Sequence, residues 1–392
     1  MSQAFPGVDF YRLDDCLDAD CRMVRDTVRA FVSKEFLPIV AEHFRNGTFP
    51  QALIPKIGEL GLLGASLKGY GCAGMDPIAY GLALQELERG DSGLRSFVSV
   101  QGSLVMFPIH AYGSEEQKKH WLPALASGQK IGCFGLTEPD FGSNPGGMLS
   151  RAEKQGKEFV LNGTKRWITN GSLADVAVIW AKYEDEVQGF LVERGRPGFH
   201  ASTIHGKFSL RASDTSELVL ENCRIPLENR LPEGRGLKAP LRCLNEARYG
   251  IAWGAVGAAM ACYQEALDYA KERVQFSRPI AGYQLVQKKL VDMLNEITKA
   301  QLLILRLGQM KQAGTLKHVQ VSLAKMNNVA MALSIARTAR DILGASGITD
   351  EYQCGRHLCN LESVVTYEGT HDIHALIIGR EITGLSALGE VA

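Results

Sequence analysis

An acidic residue that follows an aromatic one and precedes a glycine is the feature of this sequence best suited to chemistry. The segment Thr366–His374 reads Thr-Tyr-Glu-Gly-Thr-His-Asp-Ile-His and comes directly after the apolar pair Val364-Val365. Apolar surroundings raise the pKa of a carboxyl group, so that Glu368 could act as a general base. Gly369 would let the chain turn and point that carboxylate into a cleft. A glutamate on the surface or at a helix cap is the alternative interpretation.

Two histidines in the same segment could suggest a metal site. His371 and His374 are three residues apart, the spacing of neighbours on one face of a helix. A protein zinc site needs at least three ligands, and the sequence marks no third. We therefore predict no metal.

Two further clusters have the composition of ligand-binding loops. In Cys133–Asn144, small residues, hydroxyls and glycines would let backbone amides approach a ligand closely. In Lys165–Asn170, the ring of Trp167 could stack on a planar group while Thr169 supplies a hydroxyl. An ordinary polar loop and a tryptophan packed in the core explain the same residues, so neither cluster alone indicates a function.

The elements that must position these clusters fall into three zones. Residues 1–128 read as helices between short loops, and Met23–Phe36 has the apolar spacing of an amphipathic helix. Residues 129–236 contain short β-rich runs separated by turn pairs such as Asn162-Gly163, which indicates a small barrel or sandwich. Residues 237–392 return to helical patterns, each long enough for a bundle; these are Tyr249–Arg273, Gln284–Ala313 and Val319–Leu343. The fold class predicted is mainly α with a central β domain.

Composition excludes some classes of partner. The 392 residues carry 43 Lys plus Arg against 43 Asp plus Glu, so bulk charge indicates neither a nucleic-acid nor a membrane partner. No apolar stretch approaches the roughly 20 residues of a membrane span. The segment Met1–Pro6 lacks a basic start and an apolar run, so we expect a cytoplasmic protein, or a mitochondrial matrix protein if a transit peptide has been removed. The nine scattered cysteines are expected to be buried, reduced thiols.

Taken together, the motifs resemble the acyl-CoA dehydrogenase family over essentially the whole chain, and within it most closely the glutaryl-CoA dehydrogenases. Five segments in the expected order carry the resemblance: Asp91–Ser96, Cys133–Asn144, Gly206–Ser213, Ala247–Gly254 and Thr366–His374. The resemblance implies an N-terminal helical domain (1–128), a middle β-barrel domain (129–236) and a C-terminal four-helix bundle (237–392). It also implies a homotetramer, with FAD held non-covalently between the β domain and the bundle and partly by a neighbouring subunit.

The resemblance also assigns residues to the cofactor. The implied contacts lie in the two loop clusters, in the segment that reaches the FAD of an adjacent subunit, in the glycine-rich turn for the diphosphate, and after the proposed base. They are Leu136, Thr137, Trp167, Ile168, Thr169, Arg273, Phe276, Gln284, Gly344 and Thr370. One departure falls in the glycine-rich turn, where Ala345 stands at a position that is more usually glycine.

The substrate residues follow from the same resemblance, with Glu368 as the catalytic base. The implied contacts to the CoA portion and the acyl chain are Glu88, Arg95, Ser96, Ser143, Asn245, Arg248, Tyr249, Tyr367 and Gly369. Arg95 is expected to face the distal carboxylate of glutaryl-CoA, because a guanidinium can hold a carboxylate bidentately; a solvated arginine is the alternative. Leu94, where tyrosine is more familiar, is expected to change the acyl pocket beside Arg95.

The implied activity is FAD-dependent α,β-dehydrogenation of an acyl-CoA. We expect oxidative decarboxylation of glutaryl-CoA to crotonyl-CoA and carbon dioxide, with electrons passed to an electron-transfer flavoprotein. Three alternatives stay open. They are a glutaryl-CoA dehydrogenase that does not decarboxylate, a dehydrogenase or oxidase of another short-chain or dicarboxylic acyl-CoA, and a non-catalytic flavin- or CoA-binding protein.

Overall fold

The computed structural model describes residues 5–387 and begins with a helical layer. Seven helices precede the main sheet: α1 (Ala19–Phe31), α2 (Leu37–Asn46), α3 (Ile54–Glu59), α4 (Pro77–Gly90), α5 (Ser92–Ser99), α6 (Phe107–Tyr112) and α7 (Glu115–Ala126). One π-helical turn joins α1 to α2, and another joins α5 to α6. A short hairpin, β1 (Lys68–Gly69) with β2 (Cys72–Ala73), lies between α3 and α4. Asp76 and Asp91 cap the first turns of α4 and α5 through their side chains.

The middle of the chain forms one eight-stranded sheet. Its strands are β3 (Gly132–Gly135), β4 (Arg151–Gln155), β5 (Glu158–Thr169), β6 (Val176–Tyr183), β7 (Glu186–Glu193), β8 (Phe199–Thr203), β9 (Thr215–Pro226) and β10 (Arg230–Arg235). The order across the sheet is β10-β7-β6-β4-β5-β9-β8, and β3 pairs parallel to β6. A separate apolar core fills this sheet, with Phe190, Leu218 and Ile225 fully buried.

The last part of the chain is helical again. A small hairpin, β11 (Val274–Gln275) with β12 (Arg278–Pro279), separates the first two long helices. The helices are α8 (Lys238–Glu272), α9 (Gln284–Gln312), α10 (His318–Ile342), α11 (Cys354–Val364) and α12 (His371–Thr383). Both α11 and α12 pack against α10.

Close contact between α4 and α8 joins the two helical layers. Three glycines on one face of α8 make this approach possible, because a Cβ on any of them would overlap atoms of α4: Gly250 meets Leu84, Gly254 meets Glu88 and Gly257 meets the Gln85 carbonyl. Nearly every residue of α4 is buried as a result. The α4–α8 pair is therefore a rigid support for Glu88, which faces the site described below.

The predicted fold class is confirmed: helical elements surround a central β domain in the expected order. The sheet has two edge strands, β10 and β8, which do not pair with each other in the described part of the chain. The domain limits at 128/129 and 236/237 stay a prediction, although α7 ends at Ala126 and α8 begins at Lys238.

Two local predictions were wrong. Asn162-Gly163 lies inside β5 rather than in a turn; the pairing register with β9 shifts there, so the pair forms a bulge. The helix predicted from Tyr249 begins at Lys238, because its first three turns are polar on the outer face and lack apolar periodicity.

Two further findings concern the chain as a whole. Within residues 5–387 no helix is long and apolar enough to cross a membrane. All nine cysteines are free thiols, and six of them are buried, but Cys16 is exposed, contrary to expectation.

Candidate active site

The site is built around a strained turn between α11 and α12. Glu368 has a left-handed backbone (φ 51°), which is costly for a residue with a side chain, and Gly369 follows with φ 96°. The side chain of Thr370 then caps α12 by accepting a hydrogen bond from the Ile373 amide. A Cβ on Gly369 would lie 3.0 Å from Nε2 of His374, a tight contact, and φ 96° would also strain any residue with a side chain.

Two buried cations hold this turn through its carbonyl groups. Lys325 Nζ, on α10, donates to the carbonyl oxygens of Tyr367 (3.1 Å) and Gly369 (2.9 Å). Arg248 Nε, on α8, donates to the carbonyl oxygen of Glu368 (2.7 Å). Three consecutive carbonyls are thus occupied, whereas the amide hydrogen of Glu368 has no acceptor within residues 5–387.

The carboxylate of Glu368 is buried without hydrogen bonds to residues 5–387, and its pKa is suited to proton transfer. Its Oε2 is inaccessible to solvent and has no hydrogen-bond partner among the described residues. Burial raises the pKa of Glu368 to about 7, against the opposing attraction of Arg95, Arg248 and Lys325. A carboxyl group with this pKa can accept a proton near neutral pH and release it again.

A second group of polar side chains lies beside this turn, inside the protein. Arg95 on α5 is 1% exposed, and its Nε donates to Glu88 Oε2 at 2.7 Å. Glu88 in turn accepts from the hydroxyl of Ser92 at 2.8 Å. One terminal nitrogen of Arg95 donates to the hydroxyl of Tyr367, the residue before Glu368. Burial alone would lower the pKa of Arg95, but Glu88 and Tyr367 raise it above its normal value, so the guanidinium is charged.

Part of this group has unused hydrogen-bonding capacity. The second terminal nitrogen of Arg95 has no acceptor among residues 5–387. The hydroxyl of Tyr367 accepts from Arg95, so its own hydrogen is free to be donated; Ser96 Oγ lies 3.4 Å away. Burial raises the pKa of Tyr367 to about 12, so the phenol keeps that hydrogen. This arrangement can hold an anionic oxygen.

Trp167 occupies a bulge in β5 that exposes its ring. The register between β5 and β9 shifts between Lys165 and Ile168, and Trp167, which has φ 64°, is 56% exposed. The Arg166 amide donates to the Thr137 carbonyl at 2.9 Å, so the loop after β3 lies beside the bulge. Leu136 and Ile168 are buried there, and Thr137 and Thr169 are half-buried. An exposed indole on a strained backbone beside two hydroxyls fits a planar ring with polar edges, as in a flavin.

A buried ion pair supports this loop. Lys165 Nζ bonds the carboxylate of Glu138 (2.8 Å) and the carbonyl of Leu136 (3.2 Å). Glu138 also accepts from the amides of Leu149 and Ser150. Burial lowers the pKa of Lys165 to about 8. The pair fixes the loop that presents Leu136 and Thr137.

The remaining predicted cofactor residues lie at one end of the helical bundle. Arg273 and Gln284 lie on either side of the β11–β12 hairpin and Phe276 lies in its turn; all three are exposed, Phe276 at 91%. Gly344 (φ 60°) begins the 3-10 turn that follows α10. In that turn, Oγ of Ser346 lies 3.4 Å from the hydroxyl oxygen of Tyr269. No hydrogen bond or ion pair within residues 5–387 joins this group to the Trp167 bulge. The single chain therefore presents two separate sets of predicted cofactor residues.

The predicted substrate residues are partly brought together. Glu88, Arg95, Ser96, Arg248, Tyr367 and Gly369 surround Glu368 or connect to it through the contacts above. Asn245 is half-buried, 3.5 Å from Arg248, whereas Ser143 is exposed in the loop after β3. Tyr249 is fully buried and donates to the Pro77 carbonyl at 2.7 Å, so its role as a substrate contact stays a prediction.

Sequence reasoning missed several residues of the site. Lys325 and His374 were not singled out as neighbours of the Glu368 turn, and the Lys165–Glu138 pair was not recognised. The available signal for Lys325 was that it is the single charged residue in the stretch Val321–Val329. Leu94, expected to alter the acyl pocket, is fully buried in the main core. Within the described residues, no group of three or more His, Cys, Asp or Glu side chains could hold a metal ion.

The chain is similar in sequence to known proteins over most of its length. Models of three domains match in order: the acyl-CoA dehydrogenase N-terminal domain over residues 18–129, the middle domain over 133–223 and the C-terminal domain over 234–383. The chain is 37% identical over 364 residues to the human mitochondrial short-chain specific acyl-CoA dehydrogenase, covering 91% of this chain and 88% of that protein.

Similar solved structures point to the same family. A crystal structure of glutaryl-CoA dehydrogenase from Mycobacterium smegmatis superposes with a TM-score of 0.96 at 57% identity, covering 97% of this chain and 99% of that one. A second glutaryl-CoA dehydrogenase from the same organism, solved in complex with FADH2, gives 0.96 at 54% identity with the same coverage. On these grounds the chain belongs to the acyl-CoA dehydrogenase family, oxidoreductases that act on CH–CH donors.

Proposed function

We propose that the protein oxidises glutaryl-CoA and decarboxylates the product to crotonyl-CoA. The observation that carries the proposal is the fully buried Arg95, held by Glu88 and Tyr367 directly beside the Glu368 turn. Neither a hydrocarbon acyl chain nor folding needs a charged arginine at that depth, because an apolar residue would fill the space at lower cost. A carboxylate at the far end of the acyl chain gives the guanidinium a partner.

The charges around the site favour such a substrate. When ionised, Arg95, Arg248 and Lys325 are three cations that face two carboxylates, Glu88 and Glu368. The distal carboxylate of glutaryl-CoA restores the balance. It would accept from the unoccupied terminal nitrogen of Arg95 and from the Tyr367 hydroxyl, rather than from two guanidinium nitrogens alone. A neutral acyl chain of similar length would leave those donors without a partner.

Proton removal by Glu368 begins the reaction. Its carboxylate takes a proton from the carbon alpha to the thioester, and the negative charge that develops moves to the thioester oxygen. The free amide of Glu368 is a donor for that oxygen. FAD, the cofactor of this family, would supply the hydride acceptor for the beta carbon when it is bound. Residues proposed to hold it are the Trp167 bulge, Leu136, Thr137, Ile168, Thr169 and Thr370, with Arg273, Phe276, Gln284 and Gly344 at the bundle end.

Decarboxylation follows from the position of the new double bond. In the glutaconyl-CoA product the distal carboxylate is attached to the gamma carbon, next to the alkene. Breaking the carbon–carboxylate bond releases carbon dioxide and leaves its electron pair delocalised towards the thioester oxygen. The protonated carboxyl of Glu368 then returns its proton to the gamma carbon, which gives crotonyl-CoA. A base with a pKa near 7 suits both directions of transfer.

We also propose a homotetramer that passes its electrons to an electron-transfer flavoprotein. Large apolar side chains are exposed around α9 and its preceding hairpin, and solvated proteins rarely leave such surfaces uncovered; they include Phe276, Leu285 and Val291. Burial of this face against other subunits would bring Arg273, Phe276 and Gln284 to a neighbouring subunit's cofactor. Light scattering of the purified flavoprotein measures the assembly.

Product analysis tests the proposed reaction. The purified flavoprotein is mixed with glutaryl-CoA and an artificial electron acceptor, and thioesters and released carbon dioxide are measured. We expect crotonyl-CoA and carbon dioxide in equal amounts. Glutaconyl-CoA without carbon dioxide would contradict decarboxylation alone. Oxidation of butyryl-CoA in preference to glutaryl-CoA would contradict the substrate, and would favour the activity named for the human short-chain relative.

A further inference from the structure

Lys325 is a buried charged residue of the site that neither the proposed chemistry nor the substrate requires as a contact. It is 1% exposed on α10, and its ammonium group makes two hydrogen bonds to the turn that carries Glu368. Its Nζ bonds the carbonyl before Glu368 and the carbonyl after it. A single ammonium group therefore spans the residue with the left-handed backbone.

Arg248, on α8, makes a further hydrogen bond to the same turn. It takes the carbonyl of Glu368 itself, so that all three carbonyl oxygens of residues 367–369 point at cations. With the carbonyls fixed, the carboxylate of Glu368 and the amides of Glu368 and Gly369 have no hydrogen-bond partner within residues 5–387. The positive φ of Glu368 is the kind of strain that persists only where surrounding contacts over-determine it.

We propose that Lys325 is a positioning residue for the catalytic base: it holds Glu368 in its left-handed conformation through the two flanking carbonyls and stabilises the ionised carboxylate by its charge. The inference rests on the proposed role of Glu368 as the base. It assigns to α10 a function beyond packing in the bundle.

The charged surroundings of Lys325 are consistent with this role. Arg248 from α8 and Arg95 from α5 repel its ammonium, and Glu368 attracts it. His374 from α12 adds no charge, because burial, with Lys325 and Arg248 nearby, lowers its pKa to about 3. Burial lowers the pKa of Lys325 itself to about 7. Among these described groups, Glu368 is the one anion that attracts the ammonium, so the two charges depend on each other.

Two substitutions separate the hydrogen bonds from the charge. Lys325→Met removes both, whereas Lys325→Gln removes the charge and keeps amide hydrogens that can reach a carbonyl. The exposed Lys299→Met on α9 is the matched control for the loss of one positive charge. Each holoenzyme is mixed anaerobically with whichever of glutaryl-CoA or butyryl-CoA bleaches the wild-type flavin faster, and the rate of bleaching is followed from pH 5.5 to 9.

We expect the Met variant to bleach on the order of 100-fold more slowly, with little change in the acyl-CoA concentration for half-saturation. The Gln variant should lose less. In both, the acidic limb of the pH profile should move up by about one pH unit, because the ionised carboxylate has lost a nearby cation. Lys299→Met should behave as wild type.

Unchanged pH profiles in both variants would overturn the inference, since a purely structural lysine would not set the ionisation of Glu368. Failure of both variants to give folded flavoprotein, measured by flavin content and melting temperature, would also overturn it, because Lys325 would then be needed for folding. A wild-type flavin that neither acyl-CoA bleaches would instead contradict the proposed function. The two failures are thus distinguishable.

Discussion

Gly254 lies directly against the carboxylate of Glu88, so that a Cβ on this glycine would overlap Oε2, the oxygen that holds Arg95. Helix packing and the proposed recognition of the substrate therefore both depend on Gly254. The glycine that lets α8 approach α4 also makes room for the acid that orients the buried arginine.

Replacement of this glycine should disturb both functions. Gly254→Ala overpacks the α4–α8 contact, which we expect to destabilise the protein by about 1–3 kcal/mol despite the better helix propensity of alanine. The displaced Glu88 should also weaken binding of glutaryl-CoA more than of butyryl-CoA. Thermal unfolding and half-saturation in the bleaching reaction measure the two effects.

Gly379→Ala is the matched control, because this helical glycine of α12 has no atom within 4 Å of a built Cβ. It should be neutral or slightly stabilising. Equal melting temperatures and equal selectivity in the two variants would contradict the role of Gly254.

The pH dependence of the wild type follows from the raised pKa of Glu368. The base must be ionised to take a proton, and burial raises its pKa to about 7. The rate of flavin bleaching at low acyl-CoA concentration should therefore rise about tenfold per pH unit well below pH 7 and level off above it. A rate that falls with increasing pH across this window would contradict the assignment.

Loss of the carboxylate should remove proton abstraction and spare the rest of the site. Glu368→Gln is expected to slow bleaching by roughly 10²- to 10⁴-fold, the range of a general base. Flavin content and melting temperature should stay close to wild type, since neither oxygen of the carboxylate has a hydrogen-bond partner in the described chain. A variant with wild-type rates would show that another group takes the proton.

Flavin binding at the β5 bulge can be separated from backbone strain. Trp167→Ala and Trp167→Gly both remove the exposed indole, and both should lower FAD content after dialysis. Only glycine relieves the positive φ, so the apoprotein of Trp167→Gly should be more stable than that of Trp167→Ala by about 1 kcal/mol. Full retention of FAD in both variants would contradict stacking.

The sequence predicted the fold where periodicity was strong. The long apolar patterns of α9 and α10 gave bounds within about one residue, because each buries a continuous face. The first three turns of α8 were not predicted, because their outer face is polar and lacks apolar periodicity. Asn162-Gly163 was predicted as a turn, because the sequence of a bulge resembles that of a turn. Local patterns indicate which face is buried but not how far a polar segment continues a helix.

The site was predictable only in part for a related reason. Glu368 was singled out from its aromatic and apolar neighbours in the sequence, whereas Arg95 was found only through motif resemblance, since an arginine by itself does not indicate burial. Lys325 was missed because it lies 43 residues before the base, and only the packing of α10 against the turn brings its Nζ to those carbonyls. The strained φ values of Trp167 and Glu368 likewise arise from tertiary contacts that no local pattern encodes.

Selectivity conferred by Arg95 is the most direct test of the account. Anaerobic flavin bleaching by glutaryl-CoA and by butyryl-CoA is measured for the wild type and for Arg95→Met, which keeps the buried volume but removes the charge. We predict that the wild type prefers glutaryl-CoA by at least about 100-fold and that Arg95→Met loses most of this preference, through a slower reaction with glutaryl-CoA. A wild type that prefers butyryl-CoA, or a preference for glutaryl-CoA that survives in Arg95→Met, would contradict the claim that Arg95 selects a dicarboxylic acyl-CoA.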